Sequence, residues 1–216
     1  MNHNLQKIGG WSAIVAALAY IIGFTVLIFF LSPENADSLT SAEKLRFMLD
    51  HKIIFQVWIL IIYVVFGVVL VALTAAIHQR LQKHTLPALP IASSFGYIWA
   101  GMVIASGMIA NIGLDAVSTI YPRDTEQATT IWLSVEAVHN GIGGGVEIVG
   151  GLWVLLISWF SLSFKEFSKG LHYLGFIVGI AGILTAIPGL GALGYVFGLL
   201  QIGWFGWIGI FMLKNQ

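Results

Sequence analysis

Between Glu136 and Glu147 the chain reads Glu-Ala-Val-His-Asn-Gly-Ile-Gly-Gly-Gly-Val-Glu, inside a long apolar run from Thr125 to Phe160. Two carboxylates, an imidazole and an amide at that spacing can move a proton, hold a cation or hydrogen-bond a solute. A helix advances about 100° per residue, so with Glu136 at zero, Asn140 falls near 40°, Glu147 near 20° and His139 near −60°. A continuous helix would therefore carry Glu136, His139, Asn140 and Glu147 on one side, with Gly143 and Gly144 between them and Val138, Ile142 and Val149 opposite. Small residues on the polar side let a helix, a solute or water come close. Trp132 and Trp159 bracket the segment at a separation of about 40 Å, which matches a hydrocarbon core with both interfaces. Glu147 then lies near the bilayer centre and Glu136 in the outer third. A carboxylate at mid-bilayer is costly, so it is protonated, paired or wet, and its default reading is a functional site. The competing reading is a hydrogen-bonded packing peg.

Glu136-x-x-His139 is also the i, i+3 pair that supplies two metal ligands in carboxylate-bridged helix bundles. His51 and Asp115 are the candidates to complete such a site from loops on the same side. The remaining apolar segments offer no further carboxylate. The chain has no cysteine, which excludes disulfides, thiolate metal sites and c-type haem attachment. Gly141-Ile-Gly-Gly-Gly145 lacks the Lys-Ser/Thr of a phosphate loop, and neither a His-Glu-x-x-His zinc motif nor a nucleophile elbow occurs. No cofactor is implied, and no residue is identified as catalytic.

The elements that must position these groups follow from composition. Hydrophobic residues make up 58% and charged residues 9%, against about a quarter charged in soluble domains, so the expected fold is an all-α transmembrane bundle. The long apolar runs place about six spans, at residues 8–31, 53–77, 91–114, 130–161, 172–187 and 192–213, in one membrane domain covering 1–216. The first run is too long for a signal-peptide core and reads as a retained helix. In the loop after it, Thr40 and Glu43 form a capping-box pattern. Ala42, Leu45, Met48 and Leu49 then share one face, which predicts a short amphipathic helix lying on the membrane or over the bundle. Asp124, three residues before Gln127, is a candidate N-cap, and Pro188-Gly-Leu-Gly191 a turn.

Lys7, Arg80, Lys83, Lys165, Lys169 and Lys214 fall on one side of such a bundle, and Lys44, Arg46, Lys52 and Arg123 on the other. The excess favours both termini in the cytoplasm. Net charge is zero, so nothing points to nucleic acid. The lipid bilayer is the expected partner. Gly141/Gly145, Gly175/Gly179 and Gly194/Gly198 are small-xxx-small pairs that suit tight packing within the chain or, alternatively, a homodimer face.

The opening Gln6-Lys-Ile-Gly-Gly10, an Ala-rich first span ending at a charged loop, and the closing Trp204-Phe-Gly-Trp-Ile-Gly209 carry a resemblance. The chain resembles a bacterial family of uncharacterised multi-pass membrane proteins that share a domain of unknown function. The resemblance implies a bacterial inner membrane and no particular activity. Three functions are compatible with these residues. The first is binding or translocation of a small solute, proton or lipid at the polar intramembrane site. The second is a metal-dependent, hydrolase-like membrane enzyme using Glu136 and His139. The third is a structural or regulatory role without a site. Lack of an internal repeat, and a fourth span read as unbroken, weigh against a transporter of the inverted-repeat kind.

Overall fold

Among the described residues the apolar runs of the sequence fold largely as helix, because a backbone surrounded by apolar side chains must satisfy its own N–H and C=O groups. The computed structural model describes residues 3–33, 35, 38–84, 86–144 and 147–215. Gly145, the second member of one expected glycine pair, and the loop acids Glu34 and Asp37 lie outside them.

Helix α1 is His3–Phe30, and α2 is the short Ser41–Asp50. Next, α3 (Lys52–Ile59) passes through a π-helical stretch, Leu60–Val65, into α4 (Phe66–Leu81). The long α5 (Leu89–Ile120) is followed by α6 (Thr125–His139), a second π-helical stretch at Asn140–Gly144, and α7 (Ile148–Ser163). The chain closes with α8 (Lys169–Leu184) and α9 (Leu193–Lys214). Among the described residues five helical rods are long and apolar enough to cross a membrane, and α8, at 16 residues, is shorter. No strand occurs among the described residues.

Local sequence explains the ends. Thr40 accepts from the Glu43 backbone N–H, and the Glu43 carboxylate accepts from the Thr40 backbone in return. Asp124 accepts from Gln127 N–H at 2.8 Å, and Ser168 caps α8. The turn before α9 uses Gly189 at φ 88°, a conformation that favours glycine.

Glycine contacts bring the rods together, as expected where lipid removes the hydrophobic drive for helix pairing. Trp99 of α5 lies on Gly150 of α7, and Trp153 of α7 lies on Gly96 of α5, with the two indoles 5.9 Å apart. Gly151 meets the backbone of α8 at Gly179, Gly182 and Ile183. On α8 and α9, Gly175 faces Ser158 and Trp204, and Gly209 faces the Gly10 carbonyl. These glycines are therefore used within the chain.

Two buried cores result. The larger is built around Phe66, Trp99, Trp153, Phe197, Trp204 and Phe205. The smaller, at the end away from the termini, joins Leu31, Leu45, Phe55, Leu114, Val117 and Trp132, so α2 is docked through a fully buried Leu45.

Each end of the bundle is tied by charge. At the end holding both termini, buried Glu166 pairs with Arg80 at 2.8 Å, Lys83 at 2.8 Å and His84 at 2.9 Å. Arg80 also donates to the Asn215 carbonyl at 3.0 Å and lies over the Phe167 and Phe211 rings. Burial pushes the Glu166 carboxyl up, but hydrogen bonds from Lys83 and His84, with the Arg80 and Lys83 charges, outweigh it and hold the group below the usual carboxylate range. At the distal end Lys52 bonds Asp115 and Ser118, joining α3 to α5.

Candidate functional site

The fourth apolar run is not one continuous helix. Gly143 has φ 142° and ψ 12°, which breaks the rod between α6 and α7. Glu147 stands at the N-terminal boundary of α7, where its backbone N–H donates to Thr185 Oγ1 at 2.8 Å. The single polar face expected for Glu136, His139, Asn140 and Glu147 therefore does not form. Helical-wheel arithmetic holds only along an unbroken axis, and the glycines between His139 and Glu147 permit the break.

Glu147 enters a cavity of about 340 Å³ between α1, the first π stretch, the helix break and the start of α9. Eight aromatic side chains line it, among them Tyr20, Trp58, Tyr63, Trp99 and Tyr195. Glu147 is the one charged side chain among the described residues of its wall. Its carboxylate has no hydrogen-bond or ion-pair partner among the described residues. It is held deep in the bundle by packing on either side: Trp99 and Trp153 fix α7 to α5, and the Gly151 contact fixes α7 to α8.

Glu136, His139 and Asn140 open instead into a second cavity, of about 270 Å³, bounded by α2 and the distal core. Lys44 of α2, Trp132 and Met48 share that wall. Leu27 and Trp58 border both cavities.

The seam between the cavities is a hydrogen-bonded joint. His139 Nδ1 lies 3.0 Å from the Ser106 carbonyl and 2.7 Å from Ser106 Oγ, which itself donates to the His139 carbonyl at 2.9 Å. Tyr63 Oη lies 3.3 Å from His139 Nε2 and 3.4 Å from the Gly144 carbonyl. One proton assignment satisfies these contacts: Nδ1–H donates to Ser106, and Nε2 accepts from the Tyr63 hydroxyl. Sequence explains the approach. Gly107 leaves room for Tyr63 against α5, and a Cβ at Gly144 would overlap the His139 ring. Both π-helical stretches meet here, each packed on α5.

No three His, Asp or Glu side chains come together as a metal site among the described residues. His51 instead packs its ring on Phe47, with Nδ1 3.0 Å from the Phe47 carbonyl. Asp115 pairs with Lys52. The Glu136–His139 pair is thus not completed by either expected partner. His139 has its two ring nitrogens engaged by Ser106 and Tyr63, which does not suit an open ligand.

Reading the sequence identified Glu147 but not its surroundings. Tyr63 had one local signal, a lone phenol in a run of valine and isoleucine. Ser106 reads as ordinary helix-packing polarity. Tyr20, Trp58 and Tyr195 come from three distant segments, and only the fold brings them to one wall. No family model, curated protein or solved structure matches the chain.

Proposed function

We propose that this chain is a membrane protein that binds, and passes along, a small solute at the cavity beside Glu147. The observation that carries this reading is an unpartnered carboxylate at a helix break, facing a roomy aromatic cavity. A structural peg would spend that carboxylate on a neighbouring helix. Irregular backbone at membrane depth is tolerated where it lines a cavity, and broken helices of that kind build binding sites in transporters. The second cavity, under α2, serves in this reading as an antechamber, and the Tyr63–His139 joint as the partition between the two.

In the same proposal the bundle spans a bacterial inner membrane about six times. The 16 residues of α8 cover about 24 Å at 1.5 Å each, and the turn after them completes the crossing. The clustering of Arg80, Lys83 and both chain ends around Glu166 agrees with a basic, cytoplasmic terminal side. The α2 helix then rests at the opposite surface as a cover.

Native mass spectrometry tests the solute-binding reading. Purified wild type and Gly194→Leu protein are exposed to the low-mass fraction of a bacterial extract. Gly194 lines the cavity, and a Cβ there meets nothing closer than 4.0 Å, so a side chain can start into the space from this position. The expected result is a small adduct on wild type that is missing from Gly194→Leu. Identical adducts on both, or none on either, would overturn the reading.

A further inference from the structure

We infer that the solute is an amphipathic organic cation: a quaternary or alkylated ammonium on an apolar or aromatic body. This rests on the solute-binding reading above and adds the chemical class.

The wall chemistry is one-sided. The 340 Å³ cavity has one acid and eight aromatic rings, and no lysine, arginine or histidine among the described residues lining it. Aromatic faces carry negative potential and attract a cation within about 6 Å of the ring centroid, most strongly when water is excluded. Tyr20, Trp58, Tyr63, Trp99 and Tyr195 bring aromatic rings to the wall of the same space. Glu147 supplies the full charge. Its carboxylate finds no cationic partner among the described residues of the protein, so a bound cation completes an ion pair that the fold leaves half made.

Other ligands fit less well. A neutral apolar molecule would leave the acid without a partner. An anion would meet Glu147 directly. A zwitterionic lipid headgroup would satisfy the acid through its ammonium, but its phosphate would have no basic side chain to meet. The compact, strongly hydrated ion of an unsubstituted metal would use none of the aromatic area. An ammonium with a bulky apolar body uses both the acid and the rings, and cavities of about this size enclose small organic ligands.

The test is equilibrium binding to the full chain in detergent, read from the fluorescence of its tryptophans with protein-free micelles subtracted. The probes are benzyltrimethylammonium, its neutral isostere neopentylbenzene, and phosphocholine. Saturable binding of benzyltrimethylammonium is expected, at least tenfold tighter than either comparison probe. Glu147→Gln should weaken the cation at least tenfold and leave the neutral probe unchanged. Gly194→Leu should reduce binding of every probe, and it keeps the test valid if Glu147→Gln does not fold. Neopentylbenzene binding as tightly as the cation, with Glu147→Gln without effect, would overturn the cation assignment while the solute-binding reading stood. Phosphocholine binding as tightly as benzyltrimethylammonium would overturn it in favour of a lipid headgroup. No saturable binding of any probe to folded wild type would overturn the assignment, while the adduct comparison of wild type with Gly194→Leu judges the broader reading separately.

Discussion

The Tyr63 hydroxyl lies 3.3 Å from His139 Nε2 and 3.4 Å from the Gly144 carbonyl, and the second of these contacts joins the two π-helical stretches of the bundle. A π stretch adds a residue to a helical turn and redirects the side chains around it, and such stretches occur often at functional sites. Here one redirects Tyr63 toward α6, and the other follows His139 directly. Tyr63→Phe keeps the ring and removes the donor to His139. The expected loss is about 1 kcal/mol, seen as a lower melting temperature in detergent. Tyr97→Phe, at an exposed position on α5, should melt like wild type.

The break itself depends on Gly143. At φ 142° a side chain is strained whatever space surrounds it, and the nearest atom to a Cβ there is 3.9 Å away, so strain is the whole effect. Gly143→Ala should cost about 1–3 kcal/mol by thermal denaturation. Gly141→Ala, two residues earlier in helical backbone and with open space at its Cβ, should cost nothing measurable.

The contact between α7 and α8 is backbone on backbone. A Cβ on Gly151 would sit 2.7 Å from the Gly179 carbonyl oxygen and 2.7 Å from Ile183 N, and neither can rotate away. Gly151→Ala should therefore lower stability by about 1–3 kcal/mol through forced separation of the helices. Gly206→Ala, in the interior of α9, meets nothing within 4 Å and is the matched control, expected not to lower the melting temperature.

Stability should fall in acid through Glu166. Its carboxyl sits below the usual range in the folded protein, so the unfolded chain binds the proton more readily. The stabilisation is complete above the unfolded carboxylate value of about 4.3 and is lost as pH falls through the lower folded value. Melting curves from neutral pH down to pH 3 should show a steepening loss in wild type and a flatter profile in Glu166→Gln. At neutral pH, removing one partner of the buried Arg80–Glu166 pair by Arg80→Ala should cost about 3–5 kcal/mol.

What the sequence made legible divides along a physical line. Hydropathy and length place the rods, because a continuous apolar run of about 20 residues satisfies its own backbone groups as helix. Caps are equally local: Thr40 with Glu43 and Asp124 with Gln127 are each three residues apart and form as expected. The break at Gly143 is not legible in the same way. A glycine run inside an apolar segment suits close helix packing as well as a positive φ, and residue types alone do not choose. A continuous helix over 125–160 would carry Glu136 and Glu147 on one face, whereas the fold sends them into separate cavities. The aromatic wall is a long-range product, since Tyr20 and Tyr195 share a cavity with Glu147 only after α1 and α9 pack together.

The most direct measurement is the reactivity of a single cysteine at position 147. The chain has no cysteine of its own, so Glu147→Cys gives one reporter in the cavity and Glu136→Cys gives one in the other cavity. Both are treated, folded and in vesicles, with a small water-soluble thiol reagent, with and without Gly194→Leu in the same chain. Reaction at both positions is expected, with Gly194→Leu suppressing it at 147 and leaving it intact at 136. The Glu147→Cys thiol staying unreactive until the protein is denatured, or Gly194→Leu suppressing both positions together, would contradict a separate, accessible cavity at Glu147.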